Sequence, residues 1–282
     1  MQFITQSGAP AGPVGQGTWY LGENPDTFDR ECAALRAGVE TGMNLIDTAE
    51  MYGEGLAETM IGAAIQGLDR EKLYLVSKVY PHNAGRDNIF RCCENSLRRM
   101  RTDYVDLYLL HWRGAIPLTE TVTCMEELKS RGLIRAWGVS NFDREWMEKL
   151  AAVENGTHAA TDQVLYHLGS RGIEYDLLPY LQEREIPVMA YCPMAQAGQL
   201  RQGLLESEAV RSAAAAHGAT PSQILLSFLL SRRGVIPIPR ASRPEHAVEN
   251  AAAARIHLSP EELSALDQAF PAPQKKTRLD VV

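Results

Sequence analysis

The sequence predicts an α/β fold: a (β/α)8 TIM barrel with an N-terminal hairpin and extra C-terminal helices. Three observations predict it. Short apolar runs alternate with helical periodicity along almost the whole chain, which indicates a mainly parallel sheet. Seven of those runs end in a polar residue, at Asp47, Lys78, His111, Ser140, Gln163, Tyr191 and Arg240, spaced 23 to 33 residues apart until a last interval of 49. With a first strand near Val14 the count reaches eight, and 282 residues suit a single barrel domain spanning 1–282.

Each element has its own signal. Residues 1–22 hold five glycines and two prolines among short apolar pieces, the pattern of a small hairpin leading into the first strand. Phe28, Cys32, Leu35 and Val39 recur at helical spacing through 27–40, with Asp26 or Thr27 as the expected cap. Leu45 and Ile46 form a buried strand that breaks at Asp47 into polar residues and glycines, and a helix follows over 56–65. Strands are expected over 73–78, 105–110, 136–139, 159–164, 187–190 and 235–239. Helices are expected over 87–100, 119–130, 143–152, 174–184, 208–217 and 221–232, and from Pro244 onward. Ser259 and Glu262 form a capping box for one more, beyond which the tail after Phe270 wraps the surface. The long interval before Arg240, with Gly198 and Gly203, reads as an extra loop over the barrel mouth, a natural lid for a cofactor.

Composition excludes several functions. The net charge of -7 lacks the basic excess of a nucleic-acid binder. The longest apolar run, residues 224–230, is broken by Ser227 and is too short to span a bilayer. No basic, then apolar, leader follows Met1, and five cysteines without C-x-x-C spacing read as reduced thiols. A cytoplasmic protein without a metal is expected, since no His/Asp/Cys cluster has ligand spacing. Gly15-Gln16-Gly17 fails the spacing of a dinucleotide-binding G-x-G-x-x-G turn.

A barrel gathers its strand ends on one rim, which is where barrel enzymes keep their chemistry. Asp47, Tyr52, Lys78 and His111 form the strongest constellation there. Any one of them alone reads equally well as a cap, a solvated strand end or a core residue; together they make a proton-transfer site. An ammonium about 4 Å from a phenol favours phenolate by roughly 4 kcal/mol at an effective dielectric near 20. Lys78 is therefore expected to acidify Tyr52 before burial opposes it, with Asp47 holding Lys78 charged and His111 orienting a carbonyl. Trp19, Trp112 and Tyr166 are expected to line the mouth with aromatic walls.

Residues 45–53 (LIDTAEMYG), 76–78 (VSK), 108–112 (YLLHW) and 138–142 (GVSNF) resemble, in that order, the motifs of the aldo-keto reductase family. The likeness runs from about Gly15 to Asn250, and residues 163–174 bring it nearest to bacterial methylglyoxal reductase-type members. The resemblance implies a metal-free (β/α)8 barrel, more often monomeric than not, that reduces aldehydes and ketones with NADPH. Asp47, Tyr52, Lys78 and His111 would be its catalytic tetrad, with Tyr52 as general acid. Ser140, Asn141 and Gln163 match residues that hydrogen-bond the nicotinamide carboxamide, Tyr191 the ring that stacks on it, and Gly17 and Thr18 the first cofactor loop. Residues 238–241 (IPRA) stand where the family has Ile-Pro-Lys-Ser. Arg240 keeps a bidentate phosphate ligand there. Ser242 stands in for the hydroxyl lost at Ala241, and Arg243 compensates for His246 where many members have a second arginine. Glu249 and Asn250 match the family's adenine contacts. Two other readings stand beside reduction: a cofactor-binding regulatory subunit, and oxidation of an alcohol or sugar with NADP+.

Overall fold

A computed structural model describes residues 2–282. Eight parallel strands follow one another in order: β1 (Gln16–Gly17), β2 (Leu45–Asp47), β3 (Tyr74–Val79), β4 (Val105–Leu110), β5 (Ile134–Ser140), β6 (Asp162–Leu165), β7 (Val188–Tyr191) and β8 (Val235–Pro237). The amides of Gly15 and Gly17 donate to the carbonyls of Pro237 and Pro239 and join the last strand to the first. That seam needs glycine: a Cβ on Gly17 would lie 2.8 Å from the Ile238 carbonyl oxygen. The first strand starts at Gln16, later than Val14, because the two glycines flanking Gln16 are what permit the approach.

The helices are α1 (Phe28–Glu40), α2 (Leu56–Ala64), α3 (Ile89–Met100), α4 (Leu118–Ser130), α5 (Arg144–Ala151), α6 (Leu177–Glu183), α7 (Gln199–Glu206), α8 (Glu208–His217), α9 (Pro221–Leu230), α10 (Pro244–Ala252) and α11 (Pro260–Ala269). The capping box at Ser259 and Glu262 forms as the sequence indicates. Neither Asp26 nor Thr27 caps α1 with its side chain; Asn24 instead caps a 3-10 turn that leads into it. Residues 199–206, expected as loop, are helical, since Gly198 stands before the first turn and Leu204 is buried.

Strand alternation divides the core in two. Leu45, Val76, Leu107, Leu109, Met189 and Ile236 point into the barrel, where Phe3 of the N-terminal hairpin stacks on Tyr74 at 5.0 Å and plugs the bottom. Their neighbours Ile46, Leu75, Tyr108, Val139, Val164 and Ala190 point outward against the helices. The same alternation turns Asp47, Lys78 and Gln163 inward as the layer above this apolar plug. No helix among the described residues is long and apolar enough to cross a membrane.

Candidate active site

Lys78 is fully buried at the centre of the mouth. Its ammonium donates to Asp47 Oδ2 at 2.8 Å, to the Thr48 carbonyl at 2.8 Å and to the Tyr52 hydroxyl oxygen at 3.0 Å. Because Tyr52 accepts that bond, its own hydrogen is free to point elsewhere. Tyr52 and His111 both line a cavity of about 460 Å³, their rings edge-on at 5.7 Å. Gln163 and Lys78 thus hold opposite oxygens of Asp47, as the Gln163 amide donates to Oδ1 at 2.7 Å. The four residues expected to act together lie side by side, Asp47, Tyr52 and His111 lining the cavity and Lys78 buried behind Tyr52.

Electrostatics differ from the expectation in one respect. Burial pushes the Tyr52 phenol well above its ordinary value, and the negative charge of Asp47 adds to that. Tyr52 is therefore a protonated phenol, not an acidified one: desolvation outweighs the ammonium. Burial likewise lowers Lys78 and raises Asp47, each opposed by the other's charge. Burial, aided by the positive Lys78, holds His111 down to about 2, so it is a neutral imidazole. Its Nδ1 meets no hydrogen-bond partner among the described residues.

One wall of the cavity has groups suited to a flat amide-bearing ring. Ser140 donates to the Gln163 carbonyl at 2.8 Å, Asn141 Nδ2 to the His111 carbonyl at 3.2 Å, and the Tyr191 hydroxyl to Asn141 Oδ1 at 2.9 Å. All four of Ser140, Asn141, Gln163 and Tyr191 line the cavity, as do Gly17, Thr18 and Arg240. The Thr18 hydroxyl is used on the Asp47 carbonyl at 2.9 Å. Ser242, Arg243, Glu249 and Asn250 do not line it; they lie beyond Arg240 on the approach to α10 and along it, where Glu249 accepts from Thr220 at 2.6 Å. Aromatic donors, amides and guanidinium together fit a nicotinamide nucleotide, which needs a stacking face, an amide partner and cations for its phosphates.

Trp19 and Trp112 line the cavity as expected, Trp19 stacking on Tyr52 at 6.1 Å. Tyr166 does not. It is fully buried and donates to Glu174 at 2.6 Å, because counting outward from inward-facing Gln163 puts position 166 on the helix side. Met51, Met194, Arg201 and Val282 also line the cavity, Met51 within the 45–53 motif but without an expected role and the other three without any expectation. For Met194 and Arg201 the signal was the long interval before Arg240. For Val282 there was none, since only the folded tail brings it back to the mouth.

A parallel eight-stranded barrel with buried Lys, Asp, Tyr and His at its mouth, beside a wall of amide, hydroxyl and guanidinium groups, is the architecture of an oxidoreductase. The chain belongs to the aldo/keto reductase family, whose model matches residues 13–270. It is 54% identical over 282 residues, 100% of this chain and 98% of the relative, to methylglyoxal reductase YeaE of Escherichia coli strain K12. It is 33% identical over 236 residues to a glyoxal reductase of Bacillus subtilis strain 168, covering 83% of this chain and 81% of that one. A crystal structure of an aldo-keto reductase from Klebsiella pneumoniae in complex with NADPH superposes with a TM-score of 0.96 at 54% identity, covering 100% of this chain and 99% of that one.

Proposed function

We propose that this chain reduces aldehydes and ketones to alcohols with NADPH, that methylglyoxal and other small or aromatic aldehydes are its substrates, and that Tyr52 is the general acid. The observation that carries the reading is that Tyr52, which lines the cavity, accepts at its hydroxyl oxygen from Lys78 at 3.0 Å. A protonated phenol is what the reductive direction requires at the start. NADPH, when bound, supplies the hydride that the carbonyl carbon receives. His111, neutral, can donate one N–H to the carbonyl oxygen and fix its direction. Tyr52 then gives its proton to the oxygen, and the Lys78 ammonium stabilises the phenolate left behind. Asp47 keeps that ammonium charged and aimed. The Tyr191 ring and the Gln163, Asn141 and Ser140 side chains are the partners for the nicotinamide; Arg240 and Arg201 suit the phosphates. Ser242, Arg243, Glu249 and Asn250 would serve the adenine end, reached past Arg240.

The names of the relatives support the substrate class, and so does the cavity, whose apolar walls of Trp19, Met51 and Trp112 suit small or flat molecules. Steady-state oxidation of NADPH in the presence of methylglyoxal tests the reading in wild type and in Tyr52→Phe. Loss of about 10²–10⁴-fold in kcat is expected for the variant, the size of a general-acid contribution. Equal rates in the two proteins would sink it.

A further inference from the structure

Two carboxylates that this chemistry leaves unused flank Tyr52 in sequence. Both grip the unit that carries Lys78. Glu50, two residues before the tyrosine, accepts from the Tyr80 amide at 2.7 Å and from Asn83 Nδ2 at 3.1 Å, just beyond the end of β3. Its own amide donates to the Lys78 carbonyl at 3.2 Å. Glu58, on α2, is fully buried. Its Oε1 accepts from Ser77 Oγ at 2.5 Å and its Oε2 from Arg99 Nε, on α3, at 2.6 Å. Ser77 is the residue before Lys78, and strand alternation turns it outward toward Glu58 as it turns Lys78 inward.

Between the two anchors the chain is bent hard. Gly53, Glu54 and Gly55 are consecutive left-handed residues, with φ of 55°, 52° and 92°. The two glycines take that conformation freely, whereas Glu54 between them adopts it at a cost and stays there only because its surroundings hold it. Gly55 also admits the guanidinium that Glu58 holds, since a Cβ there would lie 2.5 Å from Arg99 Nε. The Tyr52 turn is thus a tight bridge, strained at Glu54 and fastened at both ends to the strand and helix beside it.

We propose that Glu50 and Glu58 are positioning residues that clamp the Tyr52 turn to β3 from both sides and so set the reach between the Tyr52 hydroxyl and the Lys78 ammonium. The proposal rests on the reading of Tyr52 as the general acid. Neither carboxylate lines the cavity, so neither touches substrate. With Arg99 on its second oxygen, Glu58 acts through geometry more than through charge. A misplacement of about 1 Å at a reacting group is enough to cost ~10²-fold in rate.

The test compares wild type, Tyr52→Phe, Glu58→Ala, Glu58→Gln, Ser77→Ala and Glu50→Ala for kcat, NADPH KM, melting temperature and the pH dependence of alcohol oxidation. Glu58→Ala is expected to lose about 10- to 100-fold in kcat with NADPH KM within about twofold of wild type. Its alkaline limb moves to higher pH, because a phenol farther from the ammonium holds its proton more tightly. Glu58→Gln, which can still accept from Arg99 and share a hydrogen bond with Ser77, recovers most of kcat. Glu50→Ala and Ser77→Ala shift both readouts in the same sense by less, and Ser77→Ala removes too little volume to prevent folding. Glu58→Ala and Ser77→Ala that melt earlier but keep the wild-type kcat and alkaline limb overturn the proposal. Turnover untouched in Tyr52→Phe overturns the general-acid reading instead, so the two failures are told apart.

Discussion

Gln163 donates to Asp47 across the full width of the barrel, from β6 to β2, at 2.7 Å. Asp47 in turn holds Lys78, and Lys78 holds Tyr52. A residue proposed to read the cofactor amide is therefore wired to the group proposed to move the proton. Gln163→Glu sets a second carboxylate beside Asp47, and like charges that close cannot both ionise without cost. NADPH affinity is expected to fall about tenfold or more, and kcat to fall with it, by fluorescence titration and steady-state kinetics. Wild-type affinity in Gln163→Glu would break the link.

His111, held at about 2 by burial and by Lys78, does not titrate where enzymes work. The kcat profile for carbonyl reduction should show no histidine limb between about pH 5 and pH 8. His111→Gln should lower kcat without adding one. The same burial makes His111 and His167, the latter at about 4, a liability in acid. Each binds a proton in the unfolded chain at about pH 6.5 that it refuses when folded. Stability therefore falls as pH drops below about 6.5, by up to ~1.4 kcal/mol per pH unit for each group until its folded value is reached. His167→Gln should flatten that decline in thermal melts taken across this range.

Asp162 has the opposite sign. It is fully buried beside Gln163, accepts only from the Phe142 amide at 3.4 Å, and its Oδ2 has no hydrogen-bond partner among the described residues. Burial pushes its carboxyl well above the usual range. The folded state keeps a proton that the unfolded chain loses above about pH 3.9, so stability falls as pH rises from there toward the folded value. Asp162→Asn should stabilise the fold at neutral pH by about 1 kcal/mol or more and change little below about pH 3.9. A variant that melts lower at pH 7 would refute the assignment.

Arg240 and Arg201 reach one cavity from opposite ends of the long segment between β7 and α10. Either one replaced by alanine should raise the KM for NADPH, about tenfold for a lost charge-assisted phosphate contact. If Arg240 reads the 2′-phosphate, its loss raises KM for NADPH and leaves KM for NADH alone, whereas Arg201→Ala weakens both. Equal sensitivity of both cofactors to Arg240→Ala would remove the phosphate-reading role.

The barrel was legible because period-2 alternation and strand-end polarity survive in the raw sequence: Asp47, Lys78 and His111 each end an apolar run. The contact among them was legible for the same reason, since residues at the tops of barrel strands converge. Tyr166 was misplaced because a motif was extended past its strand without counting which way each side chain turns. Helix α7 was missed because Gly198 and Gly203 read as loop, while its seating through Leu204 is a tertiary effect. The protonated state of Tyr52 depended on burial, which a sequence does not display. Glu50 sits within residues 45–53 and Glu58 on the helix that follows, yet their partners Asn83 and Arg99 lie 33 and 41 residues further along the chain, on two separate elements, so no local pattern marks the pairing.

Lysine amines condense with aldehydes, and a mouth that admits reactive carbonyls would ordinarily expose its own lysine to that fate. Lys78 stands behind the Tyr52 ring, 4.5 Å from its centre and sealed from the cavity, with all three ammonium hydrogens taken. It can lend its charge to the site without offering a nucleophilic lone pair. Incubated with methylglyoxal, the protein should therefore not glycate itself at its centre, and borohydride trapping followed by mass spectrometry should recover no Schiff-base adduct on Lys78.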